Sequence, residues 1–177
     1  AWRQELIAEC QPNPAHLTLA KWERAGILRC VITQNVDGLH RRAGSQRVLE
    51  VHGNIWRVRC TECHHRDTLE SPANGTPRCP LCSGLLRPDV VWFGENLDRD
   101  VLSQVFAELQ RSDLCLVIGT SAVVQPAASF PLVVRQNGGS LIEVNVAPTP
   151  LTDISDVHIR GRAGEVLPLI DGLLEPR

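Results

Sequence analysis

Four of the chain's seven cysteines fall in two tight pairs, Cys60-x2-Cys63 and Cys79-x2-Cys82, with fifteen residues, 64–78, between them. Each pair can turn back so that both sulfurs face one ion, and two pairs complete a tetrahedron. This spacing is the one expected of a four-thiolate zinc site. With all four positions taken by protein, none remains for an activated water. One structural Zn2+ is therefore expected, holding together a module too small for a core of its own. The stretch from Cys60 to Cys82 is rich in Cys, Pro, Gly and charge and poor in periodicity, which marks it as an inserted small domain. His64 and His65 could replace a thiolate, although adjacent histidines on a surface turn are commonly just solvated. Cys10, Cys30 and Cys115 read as small buried hydrophobes. Seven thiols, four of them at metal spacing, point to a reducing compartment, with the cytoplasm as the default.

The rest of the chain alternates between helical and strand patterns. Residues 3–10 read as the end of an amphipathic helix. A second helix is punctuated by Asn13 as N-cap, Pro14 in the first turn and Gly26 just past its end. Cys30-Val31-Ile32 is a short apolar run of buried-strand character, followed by the polar loop Thr33 to Gly38. Residues 48–59 read as extended, with a break at Gly53-Asn54. Val90-Val91-Trp92-Phe93 reads as a further strand, and 98–111 as a helix opened by Asp98 or Asp100. Strands are expected at 114–118, 141–146 and near 157–160, with helices near 126–136 and 164–174. Short apolar strands alternating with helices imply an α/β fold, a parallel sheet covered on both faces. The Rossmann-like domain is expected over 1–56 and 86–177 and the zinc module over 57–85. Ligands of such sheets bind beyond the carboxyl ends of the strands. The loops at 33–38, 119–121 and 145–147 lie there.

A formal net charge of −2, without long runs of like charge, argues against a broad nucleic-acid footprint. No apolar stretch reaches the roughly 20 residues that span a bilayer. The chain opens Ala1-Trp2-Arg3-Gln4-Glu5, without initiator Met or signal-peptide pattern, as if from the middle of a helix.

Several segments, taken together and in order, resemble the sirtuins. They are Thr33-Gln34-Asn35-Val36-Asp37-Gly38-Leu39-His40, Glu50-Val51-His52-Gly53, the paired cysteines, Arg87 through Glu95, and Gly119-Thr120-Ser121. The Val-Val-Trp-Phe-Gly-Glu form of residues 90–95 looks most like class III, which includes desuccinylases and demalonylases. The resemblance covers essentially the whole chain. It implies an NAD-dependent protein-lysine deacylase that releases nicotinamide and O-acyl-ADP-ribose. Acyl-lysine protein or peptide substrates would enter between the two domains as a strand, pairing with the backbone from Val91 to Glu95, with Val91, Phe93, Gly94 and Glu95 as substrate-binding residues.

The resemblance makes His52 the general base. An imidazole, with an ordinary pKa of about 6.5, suits activation of a ribose hydroxyl near neutral pH. It makes Gln34, Asn35, Val36 and Asp37 the loop for nicotinamide and its ribose, where an amide and a carboxylate offer directed hydrogen bonds. Read without it, Asn35 and Asp37 are turn formers and His52 a structural hydrogen-bonder. The resemblance also places Gly119, Thr120 and Ser121 on the adenosine side and Asn145, Val146 and Ala147 at the adenine ribose, and it gives Ala163 a backbone contact to adenine. Arg3 falls where class III enzymes carry the Arg of a Tyr-x-x-Arg pair that grips an acidic acyl group. The Tyr would precede residue 1.

The sequence departs from the family at its start. The first strand, its Gly-Ala-Gly phosphate loop and the Pro-Asp-Phe-Arg stretch are absent. That strand would be central, so strand edges are expected to lie open and the 177 residues alone to be inactive. ADP-ribosyl transfer, a noncatalytic NAD or ADP-ribose sensor, and a zinc-ribbon nucleic-acid module are the alternatives. The last suffers from Asp67 and Glu70 beside Arg66 and Arg78 at the module's tip.

Overall fold

The computed structural model describes residues 2–174; residue 1 and residues 175–177, the outer ends of the larger expected domain, lie outside the described residues. Asn13 caps the second helix as the sequence requires. Its Oδ1 accepts from the His16 N–H at 3.2 Å, Pro14 takes the first position, and the chain leaves through Gly26 at φ +74°. This helix, α2 (Pro14–Arg24), turns Ala15, Leu19 and Trp22 inward. They meet β1 (Val31–Thr33), β2 (Val48–Glu50), β7 (Ser140–Asn145) and α6 (Ala163–Leu173) through Val31, Val48, Val144 and Leu167. Asp171 on α6 ties the two helices by accepting from Lys21 Nζ at 2.6 Å and Trp22 Nε1 at 2.8 Å.

The opposite face is covered by α4 (Arg99–Gln110) and α5 (Phe130–Gln136). Val105, Leu109, Phe130 and Val134 pack there on Val51 and Leu141. Asp98 settles the start of α4, its Oδ1 accepting from the N–H groups of Asp100 and Val101. Each fully buried Leu or Val of these layers contributes roughly 1.5–3 kcal/mol. The two cores therefore clamp the strands between helices from both sides, as the alternating pattern predicted.

The strands between them form two parallel sheets. One is β1-β2; the other runs in the order β6 (Leu114–Ile118), β7, β8 (Val157–Arg160). Both cores contain residues of both sheets, so the helices treat the two as one layer although β1 and β6 do not pair.

A third, antiparallel sheet has the order β4 (Arg66–Thr68), β3 (Gly53–Cys60), β5 (Leu86–Val90). The break in the extended run falls at Val51-His52, where the chain leaves the parallel pair β1-β2 and enters β3. The strand expected over Val90–Phe93 ends at Val90. Residues 91–95 curl instead, because Arg87 bonds both oxygens of Glu95 and the Glu95 N–H donates to the Trp92 carbonyl.

The first helix, α1 (Trp2–Glu9), is held by a polar residue rather than an apolar stripe. Trp2 and Leu6 are exposed and Gln4 is buried. Gln4 Nε2 donates to the Ile55 carbonyl at 3.0 Å, and its Oε1 accepts from the Ala73 N–H at 3.4 Å. Cys10, expected inside, is exposed because it follows the end of this loosely docked helix, whereas Cys30 and Cys115 are half-buried. No described helix is long and apolar enough to cross a membrane.

The four paired cysteines converge. Cys60 and Cys82 sulfurs approach to 3.4 Å, Cys63 and Cys79 to 3.6 Å, and Cys63 and Cys82 to 3.5 Å. All four lie within 4.8 Å of one another. Zn–S bonds of about 2.3 Å at tetrahedral angles place sulfurs about 3.8 Å apart, so the cluster fits zinc with small adjustment. The Glu62 N–H points at Cys60 Sγ at 3.4 Å. A Cβ at Gly84 would lie 2.7 Å from Glu62 Cγ and 3.2 Å from Cys60 Sγ, so glycine lets the knuckle close without displacing the Glu62 side chain. Apart from the cysteines, the module's buried apolar residues are Val58 and Leu86. Purified protein should hold one zinc per chain by elemental analysis. Chelation or Cys79→Ala should strip amide-exchange protection from β3 and β5, while Cys10→Ser leaves zinc bound. Retained protection without metal would remove zinc's structural role.

Candidate active site

The site begins with how the turn carrying His52 is fastened to the loop after β1. The Val51 N–H donates to the Thr33 carbonyl at 3.0 Å and the Ile55 N–H to the Val36 carbonyl at 2.9 Å. Trp56 Nε1 donates to the Asp37 carbonyl at 2.9 Å. Below the turn Glu50, 6% exposed, accepts from Asn54 Nδ2 at 2.6 Å and Arg57 Nη1 at 2.8 Å. These bonds satisfy a carboxylate whose burial alone would be costly. His52 Nδ1 lies 3.1 Å from the Gln34 carbonyl. A carbonyl only accepts, so in the neutral ring Nδ1 carries the hydrogen and Nε2 keeps a lone pair. That is the tautomer a general base needs.

The three polar loops meet at the carboxyl ends of their strands. Gln34 Nε2 donates to Thr120 Oγ1 at 3.3 Å, bridging the loops after β1 and β6. Asn145 Nδ2 donates to the Thr120 carbonyl at 2.6 Å, and the Gly119 N–H to the Val144 carbonyl at 3.0 Å, which brings in the loop after β7. Gly119 takes φ +60°, where glycine is favoured. The Gly161 N–H donates to the Asn145 carbonyl at 2.9 Å, so the start of α6, with Ala163 as its first residue, adjoins the same loop. Ala163 packs its side chain on the first core, which leaves its backbone toward the helix's open N-terminal end. Asn35, Ser121, Val146 and Ala147 are exposed around this junction. Asp37 is half-buried, and its Oδ1 caps Leu39 at 2.8 Å. Donors and acceptors from the three loops are therefore grouped at one junction.

The second wall is the 91–95 segment, and Gly53 fixes it. At φ +80° Gly53 pairs with Val90, and a Cβ there would lie 2.0 Å from the Asp89 carbonyl oxygen. This approach lets the Val91 N–H donate to the His52 carbonyl at 2.9 Å. Trp92 and Phe93 are strongly exposed at 59% and 102%. Arg87 sits 5.4 Å over the Trp92 ring. Hydrogen bonds from Arg87, then from the Trp92 N–H, hold the Glu95 carboxyl down at about 2. A carboxylate depressed in the folded state contributes above its unfolded value of about 4.3 and loses that contribution only as pH falls toward the folded one. The segment thus keeps its shape at neutral pH. A cavity of about 760 Å3 shares Gly53, Val91, Gly94 and Glu95 with this wall, but His52 is not among its lining residues.

Sequence reasoning gave no role to Gln4 or Trp56, whose partners are distant in the chain, nor to Glu50, whose partners Asn54 and Arg57 lie close by in the chain. It also missed His16, whose ring lies 4.7 Å from that of His40, in the helix after the 33–38 loop. Burial, then His16, pushes His40 down to about 4, and burial also lowers His16. Arg3 is exposed on α1 and makes no hydrogen bond or ion pair among the described residues. No described contact joins it to the three loops.

Comparison with known proteins agrees with this geometry. The Sir2 family profile matches residues 1–126. An NAD-dependent protein deacylase of Thermococcus kodakarensis is 52% identical over 175 residues, spanning 94% of this chain and 68% of the relative. A solved Sir2 homologue in complex with NAD superposes with a TM-score of 0.95 at 52% identity, covering 98% of this chain and 69% of that one. A Sir2 structure bound to acetylated peptide gives 0.89 at 37% identity, covering 96% and 74%. The chain belongs to the Sir2 family.

Proposed function

We propose that this chain supplies the catalytic base and most of the cofactor loops of an NAD-dependent protein-lysine deacylase that prefers acidic acyl groups. The observation that carries the reading is the position of His52. Its ring is fixed on the Gln34 carbonyl of one loop, and its own carbonyl receives the Val91 N–H of the other wall. A base held between a nucleotide-type junction and an exposed peptide-like edge suits a reaction joining those two substrates.

When bound, NAD supplies an electrophilic ribose carbon, nicotinamide as leaving group and the ribose hydroxyl that must lose a proton. Asn35 and Asp37 would hold the nicotinamide side, and Gly119 to Ser121, Asn145 to Ala147 and Ala163 the adenosine side. His52 Nε2 would take the hydroxyl proton, with Nδ1–H remaining on its carbonyl, so the ring need not reorient as it charges. The N–H groups of Val91, Trp92 and Glu95 are already bonded within the protein. An incoming acyl-lysine strand is therefore left the Val91 carbonyl and the backbone of Phe93 and Gly94. Arg3, exposed and without a described partner, is available to pair with a succinyl or malonyl carboxylate. The division of the parallel layer between β1 and β6 supports a further reading, that turnover requires the family's glycine-rich opening segment.

Nicotinamide release from NAD, measured with succinyl-lysine and acetyl-lysine peptides, tests this on the chain alone and on a version extended by that opening segment. Peptide-dependent release is expected from the extended protein only, and His52→Ala should lower it at least 10²-fold. No peptide-dependent release from folded, zinc-loaded extended protein would leave a noncatalytic NAD or ADP-ribose sensor as the better account. Arg3→Gln should reduce the preference for succinyl over acetyl peptide about tenfold, the usual worth of a charge-assisted contact. An unchanged ratio would remove Arg3 from acyl recognition.

A further inference from the structure

Glu143 lies on β7, the middle strand of its sheet, and is 0% exposed. A carboxylate taken wholly out of water is costly unless its oxygens are bonded, and an apolar residue would fill a sheet core more cheaply. Its partners all come from the connection to β8 and from β8 itself. Thr149 Oγ1 donates to Glu143 Oε1, and Thr152 Oγ1 donates to Oε2 at 2.5 Å. His158 Nε2, on β8, stands 3.8 Å from Oε2.

Each hydroxyl gives its hydrogen to Glu143 and accepts from the loop's own backbone. Thr149 Oγ1 accepts the Leu151 N–H at 3.1 Å, and Thr152 Oγ1 accepts the Thr149 N–H at 2.8 Å. The 149–152 turn is thus folded around the carboxylate. Leu151, 4% exposed, then packs on Val117 and Ala122, just beside the Gly119–Ser121 loop. The other end of the same connection is Asn145-Val146-Ala147, anchored by Asn145 Nδ2 on the Thr120 carbonyl. The connection is therefore pinned at Asn145 and again at the 149–152 turn, and Glu143 supports the second of these points.

We infer that Glu143 is a positioning residue for the dinucleotide, holding through Thr149 and Thr152 the turn that shapes Asn145 to Ala147 for the adenosine end. This rests on the reading that the 145–147 loop receives NAD. Steady-state nicotinamide release and calorimetric binding of ADP-ribose, both on the extended protein, test it with Asn145→Ala as the reference. Thr149→Val with Thr152→Val should raise KM for NAD and Kd for ADP-ribose about tenfold, the loss of a hydrogen bond to a charged group. At saturating NAD, kcat and KM for peptide should stay within about twofold. Thr149→Ser with Thr152→Ser, which keeps both hydroxyls, should restore NAD affinity. If Asn145→Ala weakens NAD binding and the valine pair does not, the inference is wrong while the loop's role stands. A uniform loss of kcat and both KM values would reduce the triad to a folding role and also overturn the inference. If Asn145→Ala changes nothing either, the loop reading fails and takes the inference with it.

Discussion

A Cβ at position 53 would stand 2.0 Å from the Asp89 carbonyl oxygen, so β3 and β5 come together beside His52 only because residue 53 is glycine. Most of the site follows from that approach. It sets the register in which Gly53 faces Val90, and the next residue, Val91, then reaches the His52 carbonyl. The proposed base and the exposed 91–95 wall become one piece of backbone, not two elements that must find each other. On the other side the same turn is fastened to the 33–37 loop through Thr33, Gln34, Val36 and Asp37.

The zinc module belongs to this arrangement as its far anchor. β3 runs from Gly53 to Cys60, about 23 Å at the usual rise per residue, and β5 returns from Leu86, shortly after Cys82, to Val90. Both strands that frame the His52 turn therefore begin or end at the metal knuckle. A pair of strands with so small a core has little else to fix its distant end. An ion held by these four thiolates would thus fix the far end of the two strands that frame the His52 turn.

Much of this was legible where the cause is local. Cysteine spacing encodes a tetrahedron, Asn13-Pro14 encodes a helix start, and 114–118 and 157–160 are strands with the bounds their apolar runs suggested. The convergence of the 33–38, 119–121 and 145–147 loops followed from the parallel topology. What failed to show in the sequence depends on partners outside the local pattern, some a few residues on and others far along the chain. Val90–Phe93 has strand-like residues, but the Arg87–Glu95 pair curls the chain after Val90. α1 reads as amphipathic, yet the residue that docks it is Gln4, whose partners lie at Ile55 and Ala73. Nothing in Leu141-Ile142-Glu143-Val144 tells that the glutamate is inside, because Thr149 and Thr152 are what make its burial tolerable. Gly53 could be read as a chain break, whereas its necessity comes from Asp89.

One close backbone approach makes the proposed base and the 91–95 segment a single unit. Gly53→Ala in the extended protein breaks that contact, with zinc content, ADP-ribose binding and peptide-dependent nicotinamide release measured on the same sample. One zinc per chain and near-normal ADP-ribose affinity are expected. Release should fall on the order of 10²-fold, the cost of a displacement of about 1 Å at a reacting group. Unchanged release, with an unchanged KM for the peptide, would show that His52 and the 91–95 segment do not depend on this contact.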